Sequence, residues 1–163
     1  ALVADLAILL AQSEKRTLVV DLHFEDPAIA RSLGVKVEGG IEKWVLSDDP
    51  ISGYLSASSL RGLAVFSAAR RDSSLADKIS RRPLATEWAA LLADWDFVLI
   101  DAPCILTDWR LSLSLPAGAP VILTADFRRT KLEMLRQTCS HARGPRWQVE
   151  GVVLTDAPHR IAG

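Results

Sequence analysis

Short apolar runs alternate with helix-like segments along this sequence. Continuous runs of strand-favouring residues are typical of strands that are covered on both faces. The first segment is apolar nearly all round, which is typical of a helix buried on most of its surface. Because strands and helices alternate, the pattern predicts an α/β fold with three layers, α-β-α, around a mainly parallel sheet. The predicted strands are 17–21, 63–66, 97–101, 120–124 and 149–155, and the predicted helices are 2–13, 27–33, 41–46, 84–92 and 131–141.

The length of the chain sets the expected number of domains. Its 163 residues are enough for one domain with a hydrophobic core and too few for two of ordinary size. No internal repeat, linker or low-complexity segment divides the sequence. We therefore expect residues 1–163 to form a single domain.

Composition and charge exclude several kinds of protein. A formal net charge of -1 does not suggest nucleic acid or an anionic membrane as a partner. Cys104 and Cys139 lie far apart without metal-ligand spacing, which argues against a disulfide framework or a structural zinc and fits a reducing compartment. No apolar run approaches the ~20 residues that span a bilayer. The first residues also lack the basic region of a signal peptide.

Two of the predicted strands end in an aspartate, Asp21 and Asp101. In parallel α/β sheets ligands bind beyond the carboxyl ends of the strands, so both side chains are expected on one rim. Carboxylates there could hold Mg²⁺, directly or through water, and position a nucleophile for phosphoryl transfer. The structural alternative is that each aspartate caps the turn that follows it.

Other polar residues on this rim allow weaker hypotheses. His23, Glu25 and Asp26 could form a transition-metal or hydrolase site, although a solvated loop is the commoner outcome for such a cluster. Cys104 could be a reactive thiol, or a half-buried small residue beside the turn. The basic residues Arg128, Arg129 and Lys131 could contact a partner subunit or a nucleotide, or could form a solvated helical face. Trp44 and Trp109 are expected at the surface or in an interface.

Three motifs, taken in order, resemble those of bacterial tyrosine kinases, a branch of the deviant-Walker, ParA/MinD-like P-loop ATPases. Residues 16–34 resemble the second Walker motif, which in that family is a strand, Asp-x-Asp-x-Arg-x-Pro and a short helix ending in Leu-Gly. Residues 97–103 resemble the Walker B strand with its Asp-x-Pro, and residues 150–156 resemble the closing Gly-Val-Val-Leu-Asn strand. The similarity spans nearly the whole chain.

This resemblance implies a P-loop NTPase-like fold with ATP and Mg²⁺ as cofactors. By the same resemblance, Asp21 and Asp101 are the candidate catalytic residues and Mg²⁺ ligands. Asp21 would act near the attacking hydroxyl, and Asp101 would hold the metal through water. The candidate cofactor-binding residues are Asp21, His23, Asp101 and Pro103.

The sequence also departs from the family pattern. The glycine-rich P-loop is absent from this chain, so we expect the domain to start just after the place where that loop would lie. His23 stands where a second aspartate is expected, and Glu25 stands where an arginine is expected. Tyr54 is the single tyrosine, whereas the family's autokinases end in a tyrosine-rich tail. These departures favour a degenerate or truncated member, and they leave open whether the chain is an enzyme.

The family's biology implies a role in regulating exopolysaccharide or capsule biosynthesis and export. Such domains lie in the cytoplasm at the inner face of the bacterial inner membrane, where an inner-membrane polysaccharide co-polymerase is the expected partner. A homo-oligomer is expected as well, and no nucleic acid. Two alternatives stay open: a ParA/MinD-type partitioning or positioning ATPase, and a non-catalytic α/β scaffold module.

Overall fold

A computed structural model describes residues 2–82, 84–104, 106, 115–142 and 147–157. Strands and helices alternate along most of this chain, as the sequence predicts. The strands are β1 (Thr17–Asp21), β2 (Ser56–Ala57), β3 (Leu63–Phe66), β4 (Phe97–Asp101), β5 (Pro120–Asp126) and β6 (Gln148–Thr155). The helices are α1 (Leu2–Gln12), α2 (Ile29–Ser32), α3 (Gly40–Trp44), α4 (Ser74–Ser80), α5 (Leu84–Asp94) and α6 (Leu132–Ala142), with a 3₁₀ turn at Ile51–Tyr54.

The strands form two sheets within the described residues. The first has the order β2-β3-β1-β4, in which β1 is parallel to both of its neighbours and β2 runs antiparallel along the edge. The second consists of β5 and β6, which are parallel. The expectation of an α/β fold with mainly parallel pairing is therefore confirmed. The two-residue strand β2 and the helix α4 were not predicted, because β2 is too short to show a hydrophobic period.

The centre of the first sheet forms the core of the molecule. Every residue of β1 and β3 is buried, as expected for strands that are covered on both faces. Trp44 of α3 packs on this sheet with only 1% of its surface exposed, and its ring meets Phe66 edge to face with centroids 5.6 Å apart. The prediction that Trp44 lies at the surface or in an interface is therefore wrong, and Trp109 lies outside the described residues.

Helix α1 covers the opposite face of the sheet with its smallest side chains. Ala4, Ala7 and Ala11 are buried and allow α1 to contact β1, β3 and β4 closely. The larger Leu2, Leu6 and Leu9 form a stripe that is 40–61% exposed. The prediction of a helix buried on most faces is therefore wrong, since nothing among the described residues covers this stripe.

The second sheet is covered less completely than the sequence predicts. Residues of β5 and β6 alternate between exposed and partly buried, and α6 contacts β6. Ile122, Val152 and Leu154 are apolar and 40–57% exposed. In the described part of the chain, no helix has the length and apolar character needed to cross a bilayer.

Candidate functional site

The two strand-terminal aspartates are neighbours at the rim of the first sheet. Strands β1 and β4 are parallel and in register, so that Asp21 lies beside Asp101. The backbone amide of Leu22 donates to the carbonyl oxygen of Asp101 at 2.9 Å, which extends the pairing beyond the last residue of β1. The structure thus brings together the two residues that the sequence singled out, at about the 4.8 Å spacing of adjacent strands.

Asp21 is fully buried, and both of its carboxylate oxygens accept hydrogen bonds. Oδ1 accepts from the backbone amide of His23 at 3.0 Å. Oδ2 accepts from the backbone amide of Ile29 at 3.2 Å and from the hydroxyl of Ser67 at 3.4 Å. Asp21 therefore connects β1 with the turn after it, with the first residue of α2 and with the end of β3. Three of the roughly four lone-pair positions of this carboxylate are therefore in use, and its full burial separates it from solvent.

His23 lies over the end of β4, where the resemblance places a second carboxylate. Its Nε2 is 3.2 Å from the carbonyl oxygen of Ala102 and 3.9 Å from Oδ1 of Asp101. Since a carbonyl only accepts, the imidazole donates from Nε2 to Ala102. A half-exposed imidazole therefore stands next to the carboxylate of Asp101, in a position where it competes with a cation for that side chain.

Asp101 is the more accessible of the two aspartates, with 30% of its side chain exposed. Burial raises the pKa of this carboxyl group, the nearby charge of Asp21 raises the pKa further, and His23 acts in the opposite direction. Ala102 and Pro103 continue the rim from Asp101, and Pro103 is partly buried. Cys104 is exposed, so the expectation of a half-buried cysteine is wrong.

Two further residues that shape this rim were missed by sequence reasoning. Ser67 is fully buried and directly follows the predicted strand 63–66, a position that could have revealed it. Glu42 of α3 accepts from the backbone amide of Ala69 at 2.8 Å and from that of Arg70 at 3.1 Å. Since 27 residues separate Glu42 from Ala69, no local sequence pattern indicates this contact.

The proposed transition-metal cluster does not form in the described part of the chain. Asp26 instead accepts a short ion-paired hydrogen bond from Arg71, with 2.8 Å between Oδ1 and Nη2, and it also faces Arg31. No group of three or more histidine, cysteine, aspartate or glutamate side chains in the described ranges is arranged to hold a metal ion. Asp26 thus lies in ion pairs at the surface, whereas Leu22 and Phe24 of the same segment are buried.

The rim offers a single accessible carboxylate to a magnesium ion. An accessible carboxylate oxygen such as that of Asp101 is the kind of ligand that Mg²⁺ prefers, usually with several waters retained. The phosphate-binding half needs backbone amides and a lysine, and the sequence contains no Gly-Lys-Ser/Thr motif that could provide them. Asp101 therefore offers one ligand to a hydrated Mg²⁺, and the residues present do not by themselves provide a phosphate cradle.

Comparisons with curated proteins give two relatives of different kinds. The tyrosine-protein kinase Ptk of Acinetobacter johnsonii is 22% identical over 98% of this chain and 22% of its own length. The chromosome partitioning protein ParA of Myxococcus xanthus is 30% identical over 93% of this chain and 58% of its own length. The chain thus spans less than two thirds of either relative, and no protein-family profile matches it.

Comparisons with solved structures concern the fold. The kinase domain of the Escherichia coli tyrosine kinase ETK matches 98% of this chain and 63% of its own chain, with a TM-score of 0.83 and 16% identity. The septum site-determining protein MinD of Pyrococcus horikoshii, complexed with Mg-ADP, matches 93% of this chain and 62% of its own, with a TM-score of 0.69 and 20% identity. This chain therefore has the P-loop NTPase-like fold shared by bacterial tyrosine-kinase domains and ParA/MinD-type ATPases.

Proposed function

We propose that this chain is a bacterial tyrosine-kinase-like domain that regulates exopolysaccharide or capsule biosynthesis and export, in degenerate or truncated form. The observation that carries the proposal is the pairing of Asp21 with Asp101 in register, within a fold that matches a tyrosine-kinase domain over 98% of the chain. The motif order found in the sequence supports the same assignment. The replacements at His23 and Glu25 support reduced catalytic activity, and a scaffolding or regulatory role follows from that.

The two aspartates have different parts in the proposed site. Asp101, which is accessible, would hold Mg²⁺ through water, and the metal would supply charge neutralisation for the phosphates of bound ATP. Asp21 would act from the buried side of the rim, near the acceptor hydroxyl group that attacks the phosphate of ATP. His23 and Pro103 border the same rim and would lie against the nucleotide.

Unpaired strand edges support the proposal that a further strand completes the domain. In the described residues, β4 pairs only with β1, and β5 pairs only with β6. A single superposition on the ETK kinase domain covers 98% of the chain, so both sheets take part in one match. We propose that a segment outside residues 1–163 provides a parallel strand between β4 and β5, followed by a phosphate-binding loop. Such a segment would also lie close to the exposed leucines of α1.

The proposed cellular location and partners follow from the proposed kinase-like function. The domain would lie in the cytoplasm at the inner face of the bacterial inner membrane and would act with an inner-membrane polysaccharide co-polymerase. We also propose a homo-oligomer and no nucleic-acid partner. The formal net charge of -1 supports the last point, because electrostatic attraction to phosphates requires a basic surface.

A ParA/MinD-type ATPase is the second candidate, and one observation favours it. The ParA relative has the higher identity, 30% against 22% for the kinase Ptk, although the match to Ptk covers more of this chain, 98% against 93%. The structural match favours the kinase reading, since the TM-score is 0.83 for the ETK domain and 0.69 for MinD. A non-catalytic scaffold that binds no nucleotide is the third candidate.

Calorimetry with Mg-ATP tests the proposal. We expect binding by a chain that begins far enough upstream to include the missing strand, and much weaker binding by residues 1–163 alone. In the longer chain, Asp101→Asn should weaken binding, while Asp94→Asn at an exposed position of α5 serves as the control. Unchanged affinity in Asp101→Asn would contradict the proposed metal role. Absence of binding by both chains would favour the scaffold.

A second assay separates the kinase reading from the ParA/MinD reading. The longer chain is incubated with Mg-ATP and a tyrosine-containing peptide, and phosphotyrosine is measured beside the release of inorganic phosphate. Phosphotyrosine formation, even if slow, would support the kinase reading. Hydrolysis without phosphotyrosine, together with binding to DNA at low salt, would support the partitioning ATPase and overturn the proposal.

A further inference from the structure

The loop between β3 and α4 presents two consecutive backbone amides to a single carboxylate. We define the rim loop as Ser67–Asp72 and the amide pair as the backbone amides of Ala69 and Arg70. The amide of Ala69 donates to Oε1 of Glu42 at 2.8 Å and to Oε2 at 3.0 Å, and the amide of Arg70 donates to Oε1 at 3.1 Å. Consecutive backbone amides that converge on one anion are a recurrent means of binding phosphate. In this chain a carboxylate from α3 occupies the amide pair.

The rim loop is anchored at both ends by hydrogen bonds that do not involve Glu42. At its start, the carbonyl oxygen of Ser67 accepts from the backbone amide of Ile41 at 3.2 Å. Gly40 permits this close approach, because a Cβ atom at that position would clash with the same carbonyl oxygen. At its end, the amide of Asp72 donates to the carbonyl oxygen of Phe24 at 3.0 Å. The amide pair is therefore preorganised, so that an anion binds there at little cost in conformational entropy.

The charged side chains of the rim loop leave one guanidinium group available beside the amide pair. Arg71 is engaged, because it donates to Oδ1 of Asp26 at 2.8 Å. The carboxylate of Asp72 accepts from the hydroxyl of Ser74 at 2.6 Å and from its backbone amide at 3.0 Å. Arg70 is exposed, and within the described part of the chain its side chain forms no ion pair. A positive charge without a partner thus belongs to one of the two residues whose amides face Glu42.

We propose that the rim loop is a binding site for a phosphate group, and that Glu42 is an internal competitor which the phosphate displaces. A phosphate group carries nearly two negative charges and three strong acceptor oxygens, whereas a carboxylate carries one charge and two oxygens. Phosphate can therefore accept from both amides and from the guanidinium of Arg70 together, in charge-assisted hydrogen bonds. Glu42 accepts from the amide pair alone among the described residues. Because Glu42 is only partly buried, its side chain can move into solvent when it is displaced.

This site is distinct from the proposed magnesium site and from the absent P-loop. The rim loop follows β3, and β1 separates β3 from β4, so the amide pair and Asp101 follow strands that are not neighbours. The site offers two amides and one arginine to a single phosphate group, without the lysine of a P-loop. Inorganic phosphate and the terminal phosphate of a nucleotide share the chemistry that it recognises. The inference concerns residues of this chain alone and does not depend on the proposed function.

A titration of residues 1–163 with inorganic phosphate, followed by the amide signals in ¹H–¹⁵N NMR spectra at constant pH and ionic strength, tests the inference. We expect the signals of Ala69 and Arg70 to shift. Glu42→Gln should tighten binding by roughly tenfold or more, because the binding-competent state no longer competes with an internal carboxylate. Glu38→Gln is the matched control, since it makes the same change of charge at an exposed residue that pairs with Lys36. Arg70→Gln should weaken binding with Glu42 left in place, so the test does not rest on one variant.

A parallel titration with ATP, without a divalent metal, distinguishes the two sources of the phosphate group. Tighter binding of ATP than of inorganic phosphate at the same two amide signals would support the site and assign a nucleotide to it. Equal or weaker binding of ATP would support the site and assign free phosphate. The inference is overturned if phosphate leaves the signals of Ala69 and Arg70 unmoved in Glu42→Gln. It is also overturned if Glu42→Gln binds phosphate no more tightly than Glu38→Gln does.

Discussion

The imidazole Nε2 of His23 lies 3.9 Å from the carboxylate Oδ1 of Asp101, at the rim where a metal–nucleotide site is proposed. In the tyrosine kinases that the sequence resembles, a second carboxylate occupies the position of His23. An imidazole adds no negative charge to attract Mg²⁺, and when it is protonated it takes the cation's place beside Asp101. This one replacement therefore changes the electrostatics of the whole rim.

The pH dependence of stability should reveal the environment of Asp101. Because burial raises the pKa of this carboxyl group, the folded protein holds the proton more tightly than the unfolded chain does. The contribution of Asp101 to the free energy of unfolding is thus most favourable below the ordinary pKa of aspartate. It becomes less favourable as the pH rises through the raised pKa.

The variant Asp101→Asn removes this titration. We expect it to be more stable than the unmodified chain at neutral pH and to approach it in stability at low pH, as measured by urea unfolding across a pH series. Asp94→Asn controls for the loss of one negative charge at an exposed site. A variant that is less stable at neutral pH, with an unchanged pH profile, would contradict the role of burial.

A carboxylate at position 23, as in the tyrosine kinases that the sequence resembles, should strengthen metal binding. His23→Asp replaces the imidazole beside Asp101 with a carboxylate, which gives the rim a second oxygen ligand. Titration with Mn²⁺, followed by paramagnetic resonance, should show tighter binding than in the unmodified chain. His23→Asn is the matched control, because it removes the imidazole without adding charge. Equal Mn²⁺ affinity of the two variants would contradict the prediction, because the tighter binding would then result from loss of the imidazole and not from gain of a carboxylate.

The buried hydrogen bonds of Asp21 should make it important for folding as well as for the proposed site. Asp21→Asn turns one acceptor into a donor and leaves a backbone amide, that of His23 or that of Ile29, without an acceptor, at a cost of about 1–3 kcal/mol. Ser67→Ala removes a hydroxyl whose one hydrogen is shared between Oδ2 of Asp21 at 3.4 Å and the carbonyl oxygen of Ala68 at 3.2 Å, and it should cost less. Chemical denaturation measures the free energy of unfolding of both variants. A larger decrease for Ser67→Ala than for Asp21→Asn would contradict this ranking.

Trp44 should be among the most sensitive positions of the core. Trp44→Ala removes the edge-to-face contact with Phe66 and the stacking of Arg82, whose guanidinium carbon lies 4.4 Å from the ring centroid. Substitution of a buried tryptophan by alanine lowers the free energy of unfolding by about 3–5 kcal/mol. Leu46→Ala is the matched control two residues away, since a side chain that is 81% exposed should change stability by no more than ~0.5 kcal/mol in dilute solution. Thermal or urea unfolding measures the stability of both variants, and a similar loss in Trp44→Ala and Leu46→Ala would contradict the prediction.

Comparison of Trp44 with β1 shows where sequence reasoning works. The strand at 17–21 was predicted with its observed bounds, because four strand-favouring residues in a row, ending in an aspartate, have few other stable arrangements. The position of Trp44 was predicted wrongly, because its burial depends on Phe66 and Arg82, which come from distant parts of the chain. Local pattern carries the first kind of information and not the second.

The helix α1 and the strands β5 and β6 show a different limit. Their apolar residues correctly indicate surfaces that favour burial, yet Leu9 and Leu154 are 61% and 53% exposed. A hydrophobic pattern records which surfaces can be covered, but it does not identify the element that covers them. The uncovered surfaces became visible only when both sheets were placed in three dimensions.

By itself, the sequence determined the α/β class, the bounds of the central strands and the two aspartates at their ends. These follow from short-range rules, since apolar runs form buried strands and the carboxyl ends of parallel strands share one rim. Only the tertiary structure decided that both oxygens of Asp21 are occupied, that Asp101 stays accessible, and that Glu42 holds the rim loop. The physical reason is that hydrogen-bond partners and burial depend on residues far apart in the chain, and folding alone brings them together.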